Sequence, residues 1–476
     1  MVCGHYIFSQ KSAIIRDVRK YFVFGTVGVI LFLSTFSSTA LSVALPTIHS
    51  SFHTSLIMVG WVMSGYLLTL TISVALGGRL SDTFGQKPVF MSCLLLFILG
   101  TLLCPLAPNV ELLILFRLIQ GLGAGALASC SVGIVSSEFP NARQKAVGLL
   151  ISIYPFGMIA GPNIGGWVTS AWGWRWLFWV NLPVLVAAFV VAALLLRPGK
   201  RAQSYLDLPG VAMVAGFLSA IMVGLSLIKA DGTPWILVAA LITIGIAIIV
   251  IFIRREGRVP DPIIDLEFLK GRRFAASNVY NSIYGACTSI TAYFVPMYAV
   301  YVYHETTLKS GAITTPRSAA MLLVSSITSF YLTRWGYRWP MVIGTAAMGF
   351  SFVFLAIEPQ SVDILGWHLG GTSILLLVMA LSGLALGAIA TSASNACIDL
   401  KPERAATITG IRMMFMNSGA SVVTVVVSLI LNSNKDVSHG FTLVFSGLAL
   451  LIFISIPLIF AMPGRPTALT SSKNTG

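Results

Sequence analysis

The run GLLISIYPFGMIAGPNIGG at residues 148–166 sets the reading of the whole chain. It lies in a segment with no charged residue from Ala146 to Trp174. Gly157, Gly161 and Gly165 recur every fourth residue, so on a helix they share one face. Without side chains there, a neighbouring helix approaches to backbone contact. Pro162 removes an amide donor and bends the helix where it packs most closely. Gly148 and Gly166 complete the pattern. Ordinary close packing explains any one of these residues. The full spacing describes a membrane helix shaped to fit a partner and to move against it.

The surrounding chain agrees. Its 476 residues are 56% hydrophobic and 10% charged, with mean hydropathy +0.89, a balance found in polytopic membrane proteins and not in soluble domains. Fourteen apolar runs are long enough to span a bilayer, the first at 22–46 and the last at 441–461. The expected fold class is an all-α polytopic membrane protein with 14 transmembrane helices. With a cytoplasmic N-terminus, the inner loops and both termini hold 23 of the 30 Lys and Arg. That is the positive-inside pattern. The net charge of +14 is therefore a topology signal facing anionic lipid and needs no nucleic-acid partner. The basic N-terminus precedes an apolar run too long for a signal peptide, so it reads as a retained first helix. The six cysteines are scattered and suggest neither disulfide nor metal site. Five of ten tryptophans cluster between Trp167 and Trp179, an aromatic interface belt.

The region of helices 4 and 5 recurs at an offset of 262 residues: Gly121 with Gly383, Gly125 with Gly387, Pro140 with Pro402, Gly148 with Gly410. A second echo, offset 251, links Gly85 and Lys87 to Gly336 and Arg338. Internal repeats of this kind build secondary transporters, with the substrate site between the halves. The expected division is a cytoplasmic N-terminus (1–21), a six-helix bundle (22–196), an inner loop with a two-helix insert (197–253), a cytoplasmic linker (254–274), a second six-helix bundle (275–461) and a cytoplasmic tail (462–476). The linker reads equally as a solvated connection or as a short helix on the membrane surface.

Several motifs now converge. Residues 78–87, GRLSDTFGQK, resemble the signature loop of the major facilitator superfamily, with Gly78, Asp82, Gly85 and Lys87 in its key positions. RLIQG at 117–121 resembles the motif of the buried arginine in helix 4, and 148–166 resembles the antiporter motif of helix 5. WRWLF at 174–178, and Arg412 with Gly419, extend the likeness over nearly the whole chain. The chain resembles the fourteen-span drug:proton antiporters of that superfamily. The resemblance implies a 6+2+6 fold in the plasma membrane with both termini cytoplasmic. It also implies export of small amphipathic compounds by alternating access, with a proton as second partner and no cofactor. Asp82, with Arg143 or Lys145, would form a latch; a surface turn with a weak ion pair is the plainer alternative.

One departure changes the cargo. Relatives that export cations carry a helix-1 carboxylate shortly before A-L-P, and here Ser37 stands at that position. No Asp, Glu, His or Lys falls within the fourteen runs, but Arg117, Arg317 and Arg412 do. A charge near the bilayer centre costs about 2.5–3.5 kcal/mol on insertion scales, so these arginines need carbonyls, water, a remote carboxylate or an anion. Arg117 and Arg412 also read as bundle supports. Arg317 either snorkels to the outer surface or faces an anion. An anionic or neutral amphipathic substrate is expected over a cation. Arginine does not titrate, so a proton would need a rim group such as Glu111, Asp207 or Asp82, or a weakly acidic substrate. Trp61, Asn163, Asn395 and Asn417 are further candidates, the amides because they need partners in hydrocarbon. Tyr66, Tyr154, Tyr280, Asn281, Tyr284, Met413 and Met416 are weaker ones. Alternatives are a uniporter or symporter of an organic anion, and a non-transporting sensor or scaffold. An enzyme is not expected: His304-Glu305 lacks the second histidine of a zinc-peptidase motif, since Leu308 stands there, and no phosphate-binding loop occurs.

Overall fold

The computed structural model describes residues 2–142, 146–147, 149–150, 152–197, 207–228, 234–258, 271–358, 361–364, 367–400 and 405–464. Its long helices are α1 (Val2–Phe52), α2 (Leu56–Phe84), α3 (Gln86–Leu103), α4 (Val110–Glu138), α5 (Ile153–Trp172), α6 (Trp176–Leu195), α7 (Leu208–Ser226), α8 (Trp235–Glu256), α9 (Arg272–Tyr301), α10 (Thr315–Trp335), α11 (Arg338–Ile357), α12 (Gly371–Ile398), α13 (Ala405–Ser433) and α14 (Val437–Ile454). A short helix, Thr307–Ile313, leads into α10, and Ile456–Ala461 continues α14. Between α11 and α12, β1 (Ser361–Ile364) pairs antiparallel with β2 (Trp367–Gly370), Val362 opposite Leu369. Among the described residues, twelve helices are long and apolar enough to cross a membrane. α5 and α10 fall outside that set, because Gly, Pro and Asn in one and Ser, Thr and Arg in the other dilute their hydropathy.

Local chemistry sets the helix boundaries. Asn109 caps α4, its side chain accepting from the Leu112 amide at 2.9 Å, and Asp207 caps α7 through the Gly210 amide at 3.1 Å. α2 gives way to α3 at Gly85, φ +93°, and α10 to α11 at Gly336, φ +72°. Both are left-handed backbone that glycine adopts without a Cβ clash. Residues 2–21, expected as a cytoplasmic N-terminus, are helical and continuous with α1.

α1–α6 pack on one another, α2 mainly on α4 and α1 on α5. α9–α14 repeat the plan, with α10 on α12 and α9 on α13. The repeat is visible atom by atom. A Cβ on Gly121 or Gly125 would strike the carbonyls of Tyr66 or Leu70; one on Gly383 or Gly387 would strike those of Arg317 or Met321. Tyr66 thus corresponds to Arg317 and Leu70 to Met321, both at the 251-residue offset. α7 and α8 pair with each other, and Leu218 and Met222 of α7 pack with Leu68 of α2 and Val425 of α13. The two halves meet where α2 crosses α13, where α1 meets α9, and where α5 meets Thr307–Ile313 and α10.

Candidate functional site

The three buried arginines lie on α4, α10 and α13. Arg117 is 0% exposed. Its Nε donates to the Val62 carbonyl at 3.2 Å, its guanidinium lies 4.0 Å over the Tyr66 ring, and Nη1 donates to Gln120 Oε1. The Gln120 amide in turn donates to Thr101 Oγ1 at 2.8 Å and to Ser37 Oγ at 3.3 Å. Ser37 is therefore the far end of a relay from Arg117. Gln120 escaped the sequence reading, although it lies one helical turn after Arg117 in the quoted motif.

Arg317 is 2% exposed and does not snorkel. Its Nε donates to Thr291 Oγ1 at 3.1 Å and its Nη2 to the Thr288 carbonyl at 3.3 Å, turning it onto the middle of α9. Arg412 is 9% exposed, and its Nη1 donates to Asn281 Oδ1 at 3.2 Å. Tyr293 lies within Coulombic reach of Arg117 and Arg317, and Tyr284 of Arg317 and Arg412. Tyr154 lies within reach of Tyr66. Thr288, Thr291 and Tyr293 were also not singled out from sequence, since hydroxyls on an apolar helix carry no distinguishing pattern.

Among the described residues, no ion pair involves these arginines. Arg117 Nη2 and Arg412 Nε are buried there without a hydrogen-bond partner. An unmet buried donor costs about 1–3 kcal/mol, more when charged. No group of three His, Cys, Asp or Glu side chains suited to a metal occurs among the described residues.

Other candidates lie elsewhere. Trp61 packs with the cluster that seats α7 on α2 and α13. Asn395 donates to the Thr391 carbonyl of its own helix at 2.8 Å, and Tyr280 bonds Thr345 at 2.6 Å between α9 and α11. Met413 is exposed, the Met416 backbone packs against Gly285, and Asn417 is half-buried on α13. Asn163 and Thr315 exchange side-chain hydrogen bonds across the halves, 2.7 Å and 2.9 Å. Asp207 is locked in an ion pair with Arg255 at 2.7 Å.

The helix-5 motif has two working faces. Gly157, Gly161 and Gly165 pack on Thr35, Thr39 and Ala40 of α1, within one half. Pro162 and Gly166 instead meet Gly311 and Thr307 of the other half, where a Cβ on Gly311 would lie 2.1 Å from the Pro162 carbonyl oxygen. Nearby, Tyr301 Oη and His49 Nδ1 join α9 to α1 at 2.7 Å. At this contact the halves meet through Pro162 and Gly166, not through the glycine stripe.

In the signature loop, Lys87 Nζ donates to the Ala193 carbonyl at the end of α6, 2.7 Å away. Its repeat partner Arg338 does the same for Phe460 (3.2 Å) and Met462 (3.4 Å) at the end of the second half. Both are cations completing helix C-termini, worth about 0.3–1 kcal/mol each. The Asp82 side chain, residues 143–145, Gly78 beyond its backbone, and Gly148 lie outside the described residues. So does most of the 254–274 linker.

The Major Facilitator Superfamily profile matches residues 27–253 and 208–424. The chain is 32% identical over 369 residues to the multidrug resistance protein B homolog of Mycobacterium tuberculosis (strain ATCC 25618 / H37Rv), covering 74% of this chain and 67% of that one. It is 26% identical to the tetracenomycin C resistance and export protein of Streptomyces glaucescens, covering 86% and 75%. A peptide transporter crystallised with sulfate has the same fold, with TM-score 0.67, 17% identity, and 93% and 96% of the two chains covered.

Proposed function

The chain belongs to the Major Facilitator Superfamily, and from that premise we propose that it is a secondary active exporter of small amphipathic organic anions or neutral compounds. It is a multi-pass membrane protein related to drug-resistance transporters. On this reading all fourteen long helices span the plasma membrane, with the end bearing Lys87 and Arg338 cytoplasmic. The two halves rock about the arginine–tyrosine cluster to give alternating access. The seal of Pro162 and Gly166 against Gly311 is then the outer one.

The observation that carries the substrate class is the burial of Arg117, Arg317 and Arg412 with no carboxylate paired to them among the described residues. Tyr66, Tyr284 and Tyr293 beside them favour an aromatic body, through ring stacking and hydroxyl donors. An organic cation would meet like charge. Relatives named for resistance and export support the outward direction.

Flux of fluorescent acidic and basic aromatic compounds into inside-out vesicles tests this. Acidic compounds are expected to be carried, and Arg317→Gln is expected to lower their flux at least tenfold with insertion unchanged. Preferential carriage of basic compounds, or unchanged flux in Arg317→Gln, refutes the proposal. Collapsing the pH gradient separates proton antiport from uniport of the anion, a second reading favoured by the lack of Asp, Glu and His within the fourteen apolar runs.

A further inference from the structure

A titratable side chain is bonded across the two halves. His49 stands in the last turn of α1, just beyond the apolar run 22–46. Its Nδ1 lies 2.7 Å from Tyr301 Oη at the end of α9, and the two rings meet edge to face. Both residues are half-buried. A neutral Nδ1 can accept the Tyr301 proton, whereas an imidazolium has no lone pair left and can only donate. Asn163 and Thr315, also bonded across this seam, do not titrate.

The surroundings disfavour a charge on this ring while the halves are packed together. His53, one turn on, lies within Coulombic reach. Arg175, which precedes α6, reaches to 5.7 Å from the ring of Phe52. α4 brings Glu111 in its first turn. From the other half come His304 and the pair of Glu305 with Lys309, closed on itself at 3.1 Å. α2 and α5 carry no charged residue over 56–78 and 153–172. Among the described residues, no ion pair joins His49 to a carboxylate. The Thr54 backbone also hydrogen-bonds the ring. Thr54 belongs to the same half, so that bond does not distinguish packed halves from parted ones.

We propose that His49 is the binding site of the coupling proton, neutral while the packed halves cover it and charged when they part and water reaches it. A half-buried charge beside a like charge is less stable than a hydrated one, so the parted halves bind the proton more tightly. By linkage the proton then favours parting. An imidazole titrates at about 6.5, so this opening force is absent well above that pH and grows as the pH at the seam falls through it. The direction of transport rests on the function proposed above. The link between protonation and opening rests on this contact alone.

Labelling of Thr314→Cys, buried beside the seam, by a membrane-impermeant maleimide tests the link without any cargo. Adding His49→Gln keeps a neutral acceptor for Tyr301 and removes the titration. Comparing the two proteins at one pH cancels the thiol's own pH dependence. They are expected to label alike at pH 7.5. At pH 5.5 the protein with His49 should label about fivefold faster, the low end of ordinary linkage. Tyr301→Phe keeps His49 and removes the bond, so labelling at pH 7.5 should rise. Equal labelling with and without His49→Gln at pH 5.5 overturns the proposal, as does unchanged labelling in Tyr301→Phe at pH 7.5. In inside-out vesicles, acidifying the lumen should accelerate export by the parent and not by His49→Gln. Equal acceleration of both places the proton elsewhere and overturns the assignment. Vesicles that carry no acidic compound, with the labelling difference intact, would refute the proposed cargo and leave the proton site standing.

Discussion

Gly311→Ala should unseat the closure between the halves. The added Cβ would lie 2.1 Å from the Pro162 carbonyl oxygen and 2.9 Å from its carbon, where ordinary contact begins near 3.4 Å. Both obstacles are backbone, so no rotamer relieves the overlap, and the helices must part by roughly 1.3 Å. Overpacking of this kind costs about 1–3 kcal/mol. The cost falls only on the closed arrangement, so the ratio of closed to open molecules should drop about 5- to 160-fold. Thr314, buried beside the seam, provides a reporter. Thr314→Cys should react faster with a membrane-impermeant maleimide when Gly311→Ala is also present. Gly161→Ala is the contrast. Its Cβ would strike Thr39 Oγ1 at 2.0 Å, inside one half, so it should lower thermal stability without speeding labelling. Equal labelling with and without Gly311→Ala would refute the assignment of the seal, and so would faster labelling in Gly161→Ala.

Ser37→Asp should place a carboxylate at the end of the Gln120 relay and neutralise Arg117, lowering anion flux; vesicle flux showing only a new cation activity with anion flux intact would contradict the relay. Glu305 accepts from the Thr372 hydroxyl and pairs with Lys309 at 3.1 Å. The Thr372 hydrogen bond and then Lys309 hold its carboxyl below the usual range, against partial burial. Because the folded value is depressed, the stabilisation is present above the unfolded value of about 4.3 and is lost as pH falls through the folded one. The exposed Lys309 limits the ion pair to about 0–1 kcal/mol. Thermal melts from pH 6 down to pH 3 should show Glu305→Gln converging on the parent, and a constant gap between the two would count against this.

The long helices, the repeat and the three buried arginines were legible because each rests on composition or spacing along one helix. Partners across helices were not. In the helix-5 motif the residues at 157, 161 and 165 form one stripe, but 162 and 166 form another, rotated by about 100°. Periodicity reveals both stripes without saying which one meets the other half. Lys87 shows the same limit: its position in the signature loop was clear, but its target, the Ala193 carbonyl, lies 106 residues away on another helix. Arg317 had two readings from sequence because snorkelling depends on which way the side chain turns. Thr288 and Thr291 decide that direction.

The repeat also shows how the charge is shared. In the first half the cation sits on α4, one turn before Gly121, and rests on Tyr66 of α2. In the second half the place corresponding to Arg117 is Met379, fully buried and one turn before Gly383. The cation sits instead on α10, as Arg317, in the place corresponding to Tyr66. The same helix crossing thus carries one arginine in each half, contributed from opposite members of the pair. Under the proposed rocking motion, an anion held by both arginines gains most when the halves are together and loses one pole as they part. Substrate affinity and conformation are then linked through the two cations alone, and the binding energy that closes the site needs no carboxylate at Ser37.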